Sequence, residues 1–495
     1  MAYIPTIGLE IHVELKTKSK MFCSCSNNAD EKKPNVNICP VCMGYPGTLP
    51  VINEEAVRKI IKTVLGLNCE VIKRSKFYRK LYFYPDLPKG YQISQDISPI
   101  GKNGFLKIDG RKIKIHEVHL EEDVGSLIHP KGTDYSLVNF NRAGVPLMEL
   151  VTEPDITSAI EARKFAEELQ LILRYLDVSE ANMEKGQMRV EVNVSLRRQN
   201  SKELGTKVEI KNLNSFQVVE KATNFEIERQ EKILEEGKEI IPETRGWDDE
   251  KKITLSQRKK GKGSFSTEDF HAPEPNLPAL NLQVDDIEKI KLEIPELPQQ
   301  KRERFKKEYE LGNKETEFFA SYRNLSNYFE KVMSELKNWI KEGRIKEKVE
   351  RPESIKLVKI CANYIITDLQ GLLKGKSVVG KDFSITPENF AEFVYLIYEG
   401  KISSKIAKLV LGEMLKTGSD PSHIIKEKGL VQITNEAEIE KAIKDVLTKN
   451  QKVVEDYKKG KETALQYLIG QVMAETRGKA NPQSVQKILK ILLTK

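Results

Sequence analysis

The chain has 495 residues, 39% of them hydrophobic and 31% charged, with a formal net charge of +8. That length exceeds one ordinary core and predicts two to four domains, while the absence of any run of about 18 apolar residues argues against a membrane-spanning helix. The start, MAYIPTIGLE, has no basic segment followed by an apolar one, so no secretory leader and a cytoplasmic location are expected.

Along the chain, Ile7, Leu9, Ile11, Val13 and Leu15 alternate with Glu10, His12 and Glu14, the period-two pattern of a strand with one apolar and one acidic face. Residues Met188 to Leu196 repeat it, with Val190, Val192 and Val194 inside and Arg189, Glu191, Asn193 and Ser195 outside. Val208 and Ile210 alternate with Lys207, Glu209 and Lys211 in a third strand. A helix is predicted from Ser158, where Ser158 and Glu161 fit a capping box, with Ile160, Leu169, Ile172, Leu173 and Leu176 on its apolar stripe. Another is predicted from Phe216 to Glu236. Residues 1–292 therefore read as a mixed-sheet α+β domain. After IPELP the pattern turns helical: 293–400 is expected to be a helical domain and 401–495 a small all-helical tail, in which Asn481 suits an N-cap and Pro482 the first helical turn.

The tail holds 18 Lys and Arg against 11 Asp and Glu, an excess of +7, so the preceding 400 residues sum to only +1. Lys441, Lys444, Lys458, Lys459, Lys461 and Arg477 lie on its predicted helices. Such a tail either meets a polyanion or merely solvates lysine-rich helices.

Four of the six cysteines cluster: Cys23 and Cys25, then thirteen residues, then Cys39 and Cys42. Two tight pairs of soft ligands suit a tetrahedral Zn²⁺, and four sulfurs leave no open position for water, so the zinc role is structural; the alternative is four free thiols. Cys69 and Cys361 sit in apolar helical contexts and read as packed thiols.

Glu10 and His12 share the polar face of the first strand. HLEEDVG adds His119, Glu121, Glu122 and Asp123; NRAGVPLMELVTEPD adds Glu149 and Glu153, and the second strand adds Glu191. Carboxylates crowded together repel unless cations neutralise them, so this set is a candidate nucleotide–Mg²⁺ site if the residues converge. In FYRKLYFYPDLPKGYQISQ, Arg79, Lys80 and Lys89 interleave with Tyr82, Tyr84 and Tyr91. This stretch suits phosphate binding and stacking of a base or a terminal adenosine, or else a buried loop with snorkelling cations. Arg142 is a further phosphate candidate. The segment GLLKGKS, Gly371 to Ser377, is one residue too short between its glycines for a phosphate-binding loop and follows a helical pattern. Neither G-x-S-x-G nor a Ser-Ser-Lys amidase signature is present, so this chain is not expected to release ammonia from glutamine.

The stretches GLEIHVELKTKSKMFCSC, NVNICPVCMGYPGTLPVIN, YFYPDLPKGYQISQ, HLEEDVGS, FNRAGVPLMELVTEPDI, GTKVEIKNLNSF, ETRGWD and PEPNLP, with VEDYKKGKETALQYLIGQVM near the end, resemble the B subunits of aspartyl/glutamyl-tRNA amidotransferases. The resemblance covers nearly the whole chain. It implies a cradle domain, helices and a tail that grips tRNA. It also implies an enzyme that uses ATP to phosphorylate the side-chain carboxylate of Glu-tRNA(Gln) or Asp-tRNA(Asn). Ammonia from a partner glutaminase A subunit then displaces the phosphate, and a small C subunit completes the heterotrimer. The implied Mg²⁺ site falls on Glu10, His12, Glu122 and Glu149; Glu191 stands where relatives can carry Asp. One departure is TEDFHAPEPNLP, where Asp269 and Phe270 partly match an aspartate–tyrosine–arginine–tyrosine–phenylalanine run but the arginine is missing, unless QRKKGKGSF upstream supplies a substitute. Two other classes remain: a zinc-stabilised RNA-binding scaffold, which leaves the acidic strand face unexplained, and a stand-alone amide ligase, which leaves the basic tail unexplained.

Overall fold

The computed structural model describes residues 3–28, 30–199, 201, 203–259, 270–342, 351–380, 383–430, 436–476, 479–480 and 482–494. The chain forms two compact units, Met1–Leu297 and Pro298–Lys495. The first holds the strands β1 (Tyr3–Glu14), β2 (Glu70–Val71), β3 (Arg74–Ser75), β4 (Tyr78–Leu81), β5 (Tyr91–Ser94), β6 (Gly101–Ile108), β7 (Arg111–Glu122) and β8 (Ser126–Ile128). These are followed by β9 (Leu137–Asn139), β10 (Pro146–Thr152), β11 (Met188–Arg198), β12 (Val208–Leu213), β13 (Glu243–Asp248), β14 (Ile253–Lys259), β15 (His271–Pro273) and β16 (Leu280–Asn281). Its helices are α1 (Glu54–Gly66), α2 (Ala159–Tyr175), α3 (Phe216–Glu235) and α4 (Val284–Leu292).

Twelve strands make one sheet, in the order β14-β13-β12-β11-β1-β10-β7-β5-β4-β15, with β6 also on β7 and β2 on β6. Pairing is antiparallel except between β12 and β13, so the sheet is mixed and the α+β class holds. Strand β1 lies at the centre, and Ile7, Leu9, Ile11, Val13 and Leu15 are all at most 1% exposed. Each such side chain contributes about 2 kcal/mol relative to exposure. They join one core with Val190, Val192 and Val194 of β11 and with the apolar faces of α1, α2 and α3.

Helix α1 starts at Asn53, whose side chain accepts from the Ala56 amide (3.2 Å), with Glu54 and Glu55 at its positive end. Helix α2 starts at Ser158, which accepts from Glu161 N (3.2 Å); Glu161 reaches back to Thr157 N (2.9 Å), one residue before the position a capping box prescribes. Its buried stripe is Ala162, Phe165, Ala166, Leu169, Ile172 and Leu173, whereas Ile160, expected on that stripe, is 49% exposed. The helices cover the apolar face of the sheet, and the polar face of β1 stays open.

The second unit contains α5 (Pro298–Tyr309), α6 (Asn313–Ser321), α7 (Arg323–Lys341), α8 (Arg351–Asn363), a π-helical segment (Tyr364–Leu369), α9 (Gln370–Leu373), α10 (Pro387–Tyr398), α11 (Ser404–Thr417) and α12 (Pro421–Glu427). It ends with α13 (Glu436–Lys449), α14 (Gln451–Lys458), α15 (Thr463–Glu475) and α16 (Pro482–Thr494). Asn481, the expected cap of α16, lies outside the described residues. Two separate cores form, one reaching from Phe305 to Ile425 and one from Ile439 to Leu493. Ile402, Ile406, Val410 and Met414 belong to the former, so the apolar cores divide after Ile425 rather than near residue 401. In GLLKGKS, Gly371 is inside α9 and Lys374 ends the helix in the left-handed conformation (φ 48°), which is a helix stop and not a phosphate loop. Among the described residues no helix is long and apolar enough to cross a membrane.

Candidate active site on the open sheet face

Strand register assembles the site. Glu10 of β1 lies opposite Glu191 of β11, and His12 lies opposite Glu149 of β10 on one side and Arg189 of β11 on the other. Glu149 in turn lies opposite His119 of β7. Side chains of facing residues on adjacent strands point to the same side of a sheet, so positions scattered over more than 180 residues of sequence become neighbours. Glu10, His12, Arg189 and Glu191 floor a cleft of about 590 Å³, whose lining also includes Lys80, Tyr82, Tyr84, Gln92, Glu121, Glu209, Lys211, Thr244 and Gln257, whereas Glu149 and His119 are buried and not part of that lining.

His12 Nε2 is 3.4 Å from Glu149 Oε2 and 3.5 Å from Glu121 Oε1. His119 Nε2 is 3.2 Å from the same Glu149 oxygen, and its Nδ1 is 3.5 Å from Glu117 Oε1. Burial disfavours the His12 imidazolium, but the Glu149, Glu121 and Glu10 carboxylates outweigh it and raise its pKa to about 9. Burial, then the like charges of Glu149 and Glu191, push the Glu10 carboxyl up to about 7; burial and Glu149 do the same to Glu121. Glu149 moves the other way despite its burial, held well below the ordinary range by His119 and His12. Carboxylates this crowded and buried call for a cation. Ligand atoms of Glu10, His12 and Glu149 lie within 4.8 Å of one another, as do those of His119, Glu121 and Glu149, and of Glu10, Glu191 and Glu209. These hard oxygen-rich sets suit Mg²⁺.

Positive charge rims the acidic floor. Lys211 Nζ reaches Glu191 (2.9 Å) and Glu209 (3.2 Å). Arg189 is held by Asp123 (2.9 Å). Lys80 keeps a raised pKa against burial because Glu121 and Glu149 face it. Tyr82 donates to Gln92 Oε1 (3.2 Å), and Tyr84, 56% exposed, meets Tyr82 edge-on at 6.2 Å between ring centres.

Three expected site residues stand elsewhere. Glu122 leaves the opposite side of β7 from Glu121 and pairs with Lys89, and both line a smaller pocket beside Cys42 and Gly144. Glu122 is therefore not among the grouped Glu10, His12 and Glu149 ligands, and Glu121 is the neighbour that approaches them. Lys89 is taken up by that ion pair, which removes it from the cleft. Arg142 turns inward to Asp123 (2.7 Å) and Glu14 (2.6 Å), which satisfies its guanidinium within the protein. His119 and Glu121, already in the acidic set of HLEEDVG, do converge with Glu149, and Arg189 and Lys211 are the cations the structure adds. The alternation Val118, Leu120, Glu122 against His119, Glu121 in β7 puts the two glutamates on opposite faces, and the pairing of β7 with β10 decides which of them joins the ligands.

The four cysteine sulfurs Cys23, Cys25, Cys39 and Cys42 lie within 4.8 Å of one another. Zn–S bonds of about 2.3 Å in a tetrahedron need sulfurs about 3.8 Å apart, so this donor set fits a structural metal. A hydrogen bond from Cys23, opposed by burial and aided by the Cys39 amide and Lys20, lowers the Cys42 thiol to about 5. Cys69 and Cys361 are packed in the two larger cores.

In the tail bundle Lys441, Lys444, Lys458, Lys459 and Lys461 are exposed; Lys444 pairs with Glu440 (2.7 Å) and Lys461 with Asp456 (3.2 Å). Arg477, Asp269 and the QRKKGKGSF residues from position 260 onward lie outside the described residues.

Residues 5–288 match the family model described as the GatB/GatE catalytic domain, and residues 330–493 match the one described as the GatB domain. Aspartyl/glutamyl-tRNA(Asn/Gln) amidotransferase B subunits from Thermotoga petrophila and Thermotoga neapolitana are 45% and 46% identical over 502 residues, covering 100% of this chain and 99% of each relative. The B subunit from Persephonella marina is 46% identical over 498 residues, covering 100% of both. With similarity of this extent running from end to end, the chain belongs to the family of aspartyl/glutamyl-tRNA(Asn/Gln) amidotransferase B subunits.

Proposed function

We propose that the open sheet face phosphorylates the side-chain carboxylate of glutamate or aspartate esterified to tRNA and then converts it to the amide. A carboxylate is a poor electrophile. Transfer of the γ-phosphoryl group of ATP to its oxygen releases ADP and gives an acyl phosphate; ammonia then forms the C–N bond as phosphate leaves. The observation that carries this reading is the convergence of Glu10, His12 and Glu121 in a cleft rimmed by Lys80, Arg189 and Lys211, with ligand atoms of the buried Glu149 within 4.8 Å of theirs. Phosphoryl transfer needs positioning and charge neutralisation more than covalent help. Mg²⁺ held by Glu10, His12 and Glu149 supplies neutralisation of phosphate charge when bound. His119 fixes the Glu149 carboxylate, Lys80 faces incoming phosphate, and Tyr82 and Tyr84 offer ring faces to an adenine or to the terminal adenosine of tRNA. The ammonia comes from a glutaminase A subunit, with a small C subunit completing the heterotrimer. The bundle containing Lys441, Lys444, Lys458, Lys459 and Lys461 contacts the phosphates of the tRNA body. The test is ATP hydrolysis by the assembled complex with tRNA(Gln) or tRNA(Asn), mischarged or uncharged. Turnover is expected to rise only with the mischarged form; equal turnover with both would defeat the reading.

A further inference from the structure

Lys20 is wholly buried, with 0% of its surface exposed, at the centre of the cysteine loops. Its ammonium donates to the carbonyl oxygens of Asn37 (2.6 Å) and Phe140 (3.4 Å), and its third contact is Cys42 Sγ at 3.9 Å. Its backbone is tied to the same loops: Lys20 N donates to Cys25 O (3.0 Å), and Asn53 Nδ2 donates to Lys20 O (3.1 Å). Among the described residues no carboxylate pairs with this ammonium. Lys89, the other lysine buried beside the sulfurs, is already matched by Glu122. A buried cation without an anion is costly, so an ammonium placed here needs negative charge nearby. Four thiolates around one Zn²⁺ carry two negative charges in excess of the metal, and the nearest of those sulfurs is the one Lys20 approaches.

We propose that Lys20 is the charge-compensating residue of the Cys23–Cys25–Cys39–Cys42 centre, tightening its hold on zinc and quenching the nucleophilicity of the Cys42 sulfur. This rests on the zinc reading of the cysteine cluster. Lys20 acts through Cys42 and not on any reacting group in the cleft, so it is a positioning residue. Outer partners of metal ligands typically contribute about 10–100-fold to affinity, and a full charge at 3.9 Å from a ligand sulfur belongs in that range.

The test uses the full-length chain and its Lys20→Met and Lys20→Gln variants. Methionine fills the space of the stem without charge; glutamine keeps an N–H donor for the two carbonyls. Wild type is expected to hold one equivalent of zinc, and competition with a chromophoric chelator should show both variants weaker by about 10–100-fold. In the Co²⁺-substituted proteins the sulfur-to-metal charge-transfer band should move to lower energy in both variants, because uncompensated thiolates are better electron donors. Iodoacetamide should alkylate Cys42 of the zinc-loaded variants faster than that of wild type. A purely structural role for Lys20 would weaken binding in Lys20→Met, restore it in Lys20→Gln and leave the band in place, and that result overturns the inference. Should Lys20→Met fail to fold, Lys20→Gln alone decides. If wild type binds zinc and the variants bind it equally well, Lys20 has no such role; if wild type binds none, the zinc reading falls and this inference falls with it.

Discussion

On the open sheet face, Glu10 and His12 come from β1, Glu121 and His119 from β7, Glu149 from β10 and Glu191 from β11. In the loops after β1, four sulfurs come from twenty consecutive residues. Both regions concentrate metal-type ligands, but they are held in place differently. The first depends on the pairing of strands far apart in sequence, so each ligand is positioned by the register of the whole sheet. The second is shaped by short loops that close on themselves, with the sulfurs and one buried lysine supplying much of the local order. The carboxylate face gathers negative charge in a cleft rimmed by Lys80, Arg189 and Lys211. The sulfur cluster is built to be finished once and left alone.

The difference predicts unlike consequences when each is broken. Glu149→Gln removes the carboxylate shared by His12 and His119, and ATP turnover with mischarged tRNA should fall by about 10³-fold or more, as for loss of a group that acts in the transition state. Turnover within tenfold of wild type would remove Glu149 from the reacting centre.

Stripping metal from the cysteine cluster should act on stability instead. With free zinc about a thousandfold above its Kd, binding contributes about 4 kcal/mol to stability, and that amount should disappear on chelation. Thermal unfolding followed with and without chelator measures it, while turnover at low temperature is expected to persist. An unchanged unfolding curve would mean that the loops hold themselves.

The basic bundle is a third kind of region, with charge on the surface and no buried ligand set. Truncation after Leu430, which leaves the Phe305–Ile425 core whole, should weaken mischarged-tRNA binding by about 10–100-fold at low salt and flatten the salt dependence. Filter binding across salt concentrations would show this; affinity equal to wild type at every salt level would assign those lysines to solvation. Glutaminase activity of the partner measured without tRNA should be unaffected.

Smallest of the four, Tyr84→Ala removes an exposed ring at the cleft mouth and should raise KM for ATP or for mischarged tRNA by about tenfold, the loss of one stacking contact. Which KM moves identifies the stacking partner, and no change in either would remove Tyr84 from the binding surface.

Much of this architecture is local. The period-two runs of β1 and β11, the Ser158 cap and the cysteine spacing are each decided within a few residues, because side-chain direction along a strand and amide capping at a helix start are short-range effects. The order of strands in the sheet and the phase between them are not local in this sense. The pairing of β7 with β10 sets the buried His119 opposite Glu149, so that Glu121 faces the cleft while Glu122 turns away to Lys89. The parallel arrival of β13 beside β12 brings Thr244 to the cleft wall, and Asp123 draws Arg142 inward. Length, composition, strand alternation and ligand inventory were determined by the sequence itself. The choice between Glu121 and Glu122, and between cleft and core for Lys89 and Arg142, was decided only by tertiary structure, because it depends on which distant backbone pairs with which.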